Sequence, residues 1–330
     1  MVFLSTSACL DLTQLVSFLK ILVHGDGYVT MEYLEGLFVF LIQTYKPLEI
    51  IISDDGSSDT TRQVIEDFRS AHAGLVKVLE NKVNKGLNHN FMNAFKYTSG
   101  EYIFPCDQDD IWKEDKMERL ISEIGDRDMI YTDSILVTET LEDMGQKRSS
   151  IVNMVTESEL IYFLFCNCVA GHSLMFKRSL LDVMYPYDSH VPNDLWITWA
   201  ALCQNGIKYL DWGGVYYRQH NSNVSDPLKK RDSRKKRDSI MKNQGRVKWL
   251  KILRDSSFIS TQDKAMVEGL IELYEKRFDN IFLDKKMFKF HYENRNKIYY
   301  SLKKSPGKIL RNIIKESLGL KHKALMKKVF

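Results

Sequence analysis

The chain has 330 residues, 44% of them hydrophobic and 27% charged, the balance of a globular protein with room for one large domain or two ordinary ones. A formal net charge of +4 is too small to single out a partner, and the longest apolar run near the N-terminus, residues 37–42, is too short to span a bilayer. Five scattered cysteines without a CxxC pair give no zinc signature, and no basic segment precedes Asp11; reduced thiols, no signal peptide and a cytoplasmic location are expected.

From about residue 46 strand and helix patterns alternate. Residues 48–53 (LEIIIS) read as a buried strand, a short β-branched run closed by Asp54, Asp55 and Gly56. Ser58 or Asp59 then caps a helix with Val64, Ile65 and Phe68 on one face. A strand over 76–79 leads to a helix over 88–97 with Phe91, Met92 and Phe95 at helical spacing. A strand over 101–105 precedes a helix over 114–124, apolar at Met117, Leu120, Ile121 and Ile124, and 129–132 returns as a strand. This alternation predicts an α/β fold in which βαβ crossovers build a single, mostly parallel sheet flanked by helices.

The later pattern is less regular, with strands over 168–177 and 215–219 around a Trp- and Ala-rich helix over 195–203. After Pro227 the composition changes: 229–237 (KKRDSRKKR) holds seven basic residues and one acid, and helical stretches follow. Residues 291–330 carry eleven Lys/Arg against two Glu, an excess of nine. The chain therefore divides into an α/β domain over 1–227, with an atypical start over 1–43, and a basic helical extension over 228–330.

In parallel sheets ligands sit beyond the carboxyl ends of the strands, where both acidic clusters fall. Residues i and i+2 of an extended segment point the same way, so Asp107 and Asp109 can approach one cation. Hard oxygen ligands select Mg²⁺ or Mn²⁺. An EF-hand fails, because Trp112 stands where its loop requires glycine. Taken alone, the cluster is equally a solvated acidic turn before a helix. Lys85, Gly86 and Asn90 after the second strand, like Asp54 and Asp55 after the first, read singly as turn chemistry. Three such clusters at successive strand ends would line one crevice.

The segments LEIIISDDGSSDTT, NKGLNHNFMNAFKYTSGEYIFPCDQDDIWKEDKMERL, GHSLMFKR, NDLWITWAA and YRQHNSNVS, in that order, resemble the family-2 glycosyltransferases of GT-A fold, in particular their bacterial rhamnosyltransferase-like branch. The resemblance covers roughly residues 44–225. It implies a metal-dependent, inverting transfer from a nucleotide-sugar donor, dTDP-rhamnose being favoured by that branch, to a glycan or lipid-linked acceptor in surface polysaccharide synthesis. It assigns the cation to Asp109, Asp107 and His220, the nucleotide-sugar to Asp54, Asp55, Lys85, Gly86, Asn90 and Asp107, and the catalytic base to Asp194. Asp110, Trp112, Gly171, His172 and Trp196 fall on the acceptor side, although His172 stands where the family has small residues. From local sequence alone Asp194 reads as an N-cap before it reads as a base, and Trp199 as a core residue.

The first fifty residues depart from the family. Residues 43–47 (QTYKP) match the end of its first helix, but no Thr-Tyr-Asn turn precedes them. A catalytically lapsed GT-A domain serving as a membrane-docked interaction protein is the alternative. Ile309, Ile313 and Ile314 alternate with Lys308, Arg311 and Lys315 at helical spacing, which suits an anionic membrane surface and a peripheral place at its inner face. Nucleic acid is not expected, since no binding motif accompanies the charge. Without a GxGxxG, dinucleotide oxidoreduction is disfavoured.

Overall fold

The computed structural model describes residues 41–46, 49–57, 60–80, 85–107, 109–219 and 239–321. They fall into two units. The first holds the described residues within Met1–Arg148, Ala170–Leu181 and Tyr209–Ser222, the second those within Ser149–Val169, Asp182–Lys208 and Asn223–Phe330.

In the first unit, β1 (Ile50–Asp54) and β2 (Val76–Glu80) pair in parallel, Ile50 opposite Val76. The helix between them, α1 (Thr61–Ala71), buries Ile65 and Phe68, one helical face as the sequence pattern requires. Helix α2 (Leu87–Phe95) starts at Gly86, whose φ of 86° is open to glycine without strain. It buries Met92, Ala94 and Phe95.

The second sheet has six strands: β3 (Tyr102–Ile103), β4 (Ile111–Trp112), β5 (Met129–Val137), β6 (Asp143–Lys147), β7 (Leu174–Lys177) and β8 (Ile207–Arg218). Their order is β3-β7-β5-β8-β4, with β6 on β5. The α/β class is as expected, but strand direction is not uniform. The pairs β3–β7, β4–β8, β5–β6 and β5–β7 are antiparallel. Where a helix separates consecutive strands, as α1 does, the pair is parallel. Where a tight turn joins them, as Thr138 N–H to Glu142 O at 2.9 Å joins β5 to β6, only the antiparallel pair can form.

Helix α3 (Lys116–Glu123) closes this core. Its Met117 and Leu120 pack with Phe104, Trp112, Ile130 and Val215. The acidic residues 107–110 therefore sit on a short connection whose two ends, β3 and β4, are each paired into the sheet.

The second unit is helical. Helix α4 (Asn193–Leu202) is buried at every position from Leu195 to Leu202, and its two indoles donate inward, Trp196 Nε1 to Met184 O at 2.9 Å and Trp199 Nε1 to Phe163 O at 3.1 Å. Then come α5 (Ser239–Arg254), α6 (Thr261–Lys276), α7 (Lys285–Glu293) and α8 (Pro306–Ser317). Ser260 caps α6 and Asp284 caps α7, each accepting a backbone N–H three residues on. Between the helices the His291 ring touches the hydroxyls of Tyr274 and Tyr299 at 3.1 and 3.0 Å, and burial lowers its pKa to about 4, so it is neutral at physiological pH. Among the described residues no helix is long and apolar enough to cross a membrane.

Gly319 ties the end of α8 to the turn before α7, its N–H reaching Phe282 O at 3.0 Å. A Cβ there would lie 2.0 Å from the backbone oxygen of Asn280, whereas Gly269, inside α6, has nothing within 4 Å. Gly319→Ala is expected to destabilise by about 1–3 kcal/mol, and Gly269→Ala to stabilise by about 0.5–1 kcal/mol, each read from a urea unfolding midpoint.

Candidate functional site

The first cluster is built where β1 ends. Both oxygens of Asp55 accept backbone N–H groups, Lys85 at 2.9 Å and Gly86 at 2.7 Å. The Asn90 amide donates to Ser53 O at 2.8 Å, so the end of β1 and the start of α2 are laced together. Asp54 turns the other way, to the Ser57 N–H at 3.1 Å and Arg62 Nε at 3.0 Å. Burial pushes its carboxyl up, but the Ser57 and Arg62 hydrogen bonds outweigh that and hold it below the usual range. Asp54, Asp55, Lys85, Gly86 and Asn90 thus come together as one polar rim. Asp54 is buried and serves the turn, while Asp55 is only partly covered.

The second cluster follows β3. Asp110 has no exposure; its Oδ1 accepts the Arg218 N–H at 3.2 Å and its Oδ2 lies 2.9 Å from His172 Nδ1. Nδ1 is the ring nitrogen that faces the carboxylates, at ion-pair distance but outside hydrogen-bond geometry, so Asp110 Oδ2 has no hydrogen-bond partner among the described residues. The other, Nε2, meets Ser134 Oγ at 2.9 Å. Asp107 Oδ2 lies 3.9 Å from the same Nδ1, and its side chain is 36% exposed. Ligand atoms of Asp107, Asp110 and His172 lie within 4.8 Å of one another. Asp109 stands outside that group, its carbonyl accepting Arg218 Nε at 3.0 Å. His220 lies outside the described residues. Two carboxylates and an imidazole suit Mn²⁺ and, more weakly, Mg²⁺. Asp107 is the member of the group open to solvent, whereas Asp110 and His172 hold each other.

Beneath the loop lies Lys116, buried, its Nζ donating to His172 O at 2.7 Å and standing 3.5 Å from the Trp112 ring centroid. Burial pulls its pKa down to about 7 against the attraction of Cys106, Asp110 and Asp107, and burial pushes the Cys106 thiol well up. Neither Lys116 nor Arg218 was marked out by the sequence. Lys116 sits among charged residues (WKEDKMER) that read as a solvated helix start, and only the packing of Trp112 above it gives it away.

Several expected acceptor contacts are revised by burial. Asp110, Trp112 and His172 are 0%, 1% and 4% exposed, so their side chains support the fold around a site, whereas Trp196, 2% exposed, lines a cavity of the second unit. Gly171 opens the short turn Gly171–Ser173 and is partly exposed.

Asp194 belongs to the second unit. It is the second residue of α4 and not its cap, which is Pro192, and its Oδ1 accepts the Leu195 N–H at 2.7 Å. Close to it a cavity of about 940 Å³ is lined by Tyr187, Trp196, Gln244, Lys248, Glu275 and Phe278 among others. The Asp194 carboxylate is near enough to help raise the pKa of Tyr187, after burial, which contributes most. An aromatic floor with amide, ammonium and carboxylate groups around it is chemistry that receives a sugar.

The family described as glycosyl transferase family 2 matches residues 32–183. The glucosyltransferase WfgD of Escherichia coli, which transfers from UDP-Glc to alpha-D-GlcNAc-diphosphoundecaprenol, is 30% identical over 190 residues, 56% of this chain and 71% of that protein. A glycosyltransferase of Nostoc sp., alr2836, is 27% identical over 218 residues, 62% of this chain and 66% of that one. The chain thus spans about two thirds of the length of these relatives. Among solved structures, Staphylococcus aureus TarS 1–349 in complex with UDP-GlcNAc aligns at TM-score 0.49 and 18% identity, over 87% of this chain and 77% of that chain.

Lys116 gives the site a measurable pH signature. Its folded pKa is depressed from 10.5 to about 7, so between those values the unfolded chain holds a proton that the folded chain does not, and stability rises with pH. The unfolding free energy is expected to increase from pH 7 to pH 9.5, by about 3 kcal/mol at most. Lys116→Met should flatten that rise, as seen by urea unfolding at both pH values.

Proposed function

This chain belongs to glycosyl transferase family 2, and we propose that it moves a sugar from a nucleotide-sugar donor to a lipid-linked glycan acceptor in surface polysaccharide synthesis, at the cytoplasmic face of a membrane. The observation that carries the reading is the acidic connection between β3 and β4, where Asp107 stands beside the buried Asp110–His172 pair. The relative WfgD is named with UDP-Glc, which makes uridine diphosphate the first donor nucleotide to try, ahead of the dTDP-rhamnose expected from sequence. An acceptor with a diphosphate-linked lipid is drawn from the name of WfgD.

In this account Asp55 with the 85–86 backbone would seat the nucleoside, and Asp107, the open member of the Asp107–Asp110–His172 group, would hold a divalent cation, Mn²⁺ or Mg²⁺, with Asp109 of the same connection as the further ligand that the family resemblance implies. Bound there, such an ion would supply positive charge to the departing nucleoside diphosphate. The acceptor sugar enters the cavity beside Asp194, floored by Tyr187 and Phe278. Asp194, the base that the family resemblance implies, would take the proton of the acceptor hydroxyl as the diphosphate leaves. One base and one displacement give inversion.

Calorimetric titration with a panel of nucleoside diphosphates, with and without Mn²⁺, tests the donor site. Binding is expected to need the metal and to vanish in Asp109→Ala; no binding to any nucleotide would favour the lapsed domain. Asp194→Asn should keep nucleotide binding while lowering the transfer rate by about 10²–10⁴, read as nucleoside diphosphate released per unit time with acceptor present.

A further inference from the structure

Large apolar side chains come to the surface together in the second unit. Along α8 and its end, Leu310, Ile314 and Leu318 are 41%, 38% and 40% exposed, while Ile313 on the adjoining face is fully buried. Residues four apart on a helix stack one above another, so these three form a stripe. The stripe continues into the turn before α7. Leu283 bridges to Leu318, and Ser317 O accepts the Asp284 N–H at 2.8 Å. At the tip of that turn Phe282 is 78% exposed and Ile281 48%. Scattered exposed apolar residues are ordinary, but a contiguous stripe ending in a bare phenylalanine marks a surface that something covers.

The rim says what covers it. Lys285 and Lys286 open α7, and Lys308, Arg311 and Lys315 run beside the stripe on α8, all five exposed. The two acids nearest this rim, Asp284 and Glu316, are turned to other work. Asp284 caps α7 through the Met287 N–H at 2.9 Å, and Glu316 pairs with Arg246 and Arg277. An apolar tip ringed by cations, with its acids withdrawn, matches a surface of anionic phosphate over hydrocarbon. A second copy or a protein partner would cover the apolar stripe but gives no reason for the cations.

We infer that α8 and the 281–283 turn form the face by which this protein docks on an anionic lipid bilayer. Phe282, Ile281 and the Leu310–Ile314–Leu318 stripe enter the boundary between headgroups and acyl chains, and the five cations meet lipid phosphates. The inference rests on the proposed function only for its purpose, which is to bring a lipid-linked acceptor and the enzyme to one plane. The surface itself stands on exposure and charge.

The test is co-sedimentation of the full chain with vesicles of phosphatidylglycerol and phosphatidylcholine, against vesicles of phosphatidylcholine alone. Sedimentation velocity of the protein without lipid accompanies it. Binding is expected on the anionic vesicles, weakening as salt is added, and near background on the neutral ones. Phe282→Ser and the triple variant Lys308→Glu/Arg311→Glu/Lys315→Glu should each lower partitioning by at least about tenfold, with nucleoside diphosphate affinity unchanged. No binding, or equal binding by the variants, would overturn the inference. So would a wild-type dimer that Phe282→Ser dissolves, since the stripe would then belong to a second copy. Vesicle binding by a chain that takes up no nucleotide would leave this surface standing and sink the glycosyltransferase reading alone.

Discussion

A carboxylate with no access to water must be met by donors from the protein, and the acidic connection is organised around one such group. Asp110 draws in the Arg218 N–H from the end of β8 and the His172 ring from the Gly171–Ser173 turn. His172 is fixed in turn by Ser134 on β5 and, through its carbonyl, by Lys116 on α3. Strands, turn and helix are thereby fastened to one buried charge. Residues between β3 and β4 have little conformational choice left, and Asp107 is held at the rim without contributing to the anchor.

The same logic recurs at the end of β1. Asp55 spends both oxygens on the backbone at Lys85 and Gly86, so the loop after β1 and the start of α2 are closed upon each other before any ligand arrives. Each acidic cluster is thus part anchor and part open group. A site built in this way is preorganised, and positioning of this kind lets modest electrostatic forces act on a departing diphosphate without first ordering the loops that carry them.

The βαβ beginning was legible because its signals are local: a β-branched run, a helical face at Val64, Ile65 and Phe68, and glycine or acidic turns between them. The antiparallel pairs β3–β7, β4–β8, β5–β6 and β5–β7 were not, because strand direction depends on which strands lack a crossover helix, and the short strand Ile111–Trp112 lies within a segment that reads as a polar loop. The acidic clusters were found as residue types at strand ends, yet their division of labour was hidden. Nothing in the order of letters tells that Asp110 is the anchor and Asp107 the open member, or that Trp112 lies over Lys116 instead of a sugar. Those roles are fixed by burial, and burial here depends on partners more than fifty residues away. The expected start of the fold over 1–40, the basic tract 229–237 and His220 all lie outside the described residues.

The central claim is that the 107–110 connection places a divalent cation against a nucleoside diphosphate. It is tested most directly by crystals of the chain soaked with Mn²⁺ and uridine diphosphate, with anomalous diffraction recorded at the manganese edge. The account predicts one manganese peak bonded to carboxylate oxygen of Asp107 or Asp109 and to phosphate oxygen of the nucleotide, with the Asp110–His172 pair intact beside it. A nucleotide bound without metal, or manganese bound away from this connection, would contradict it.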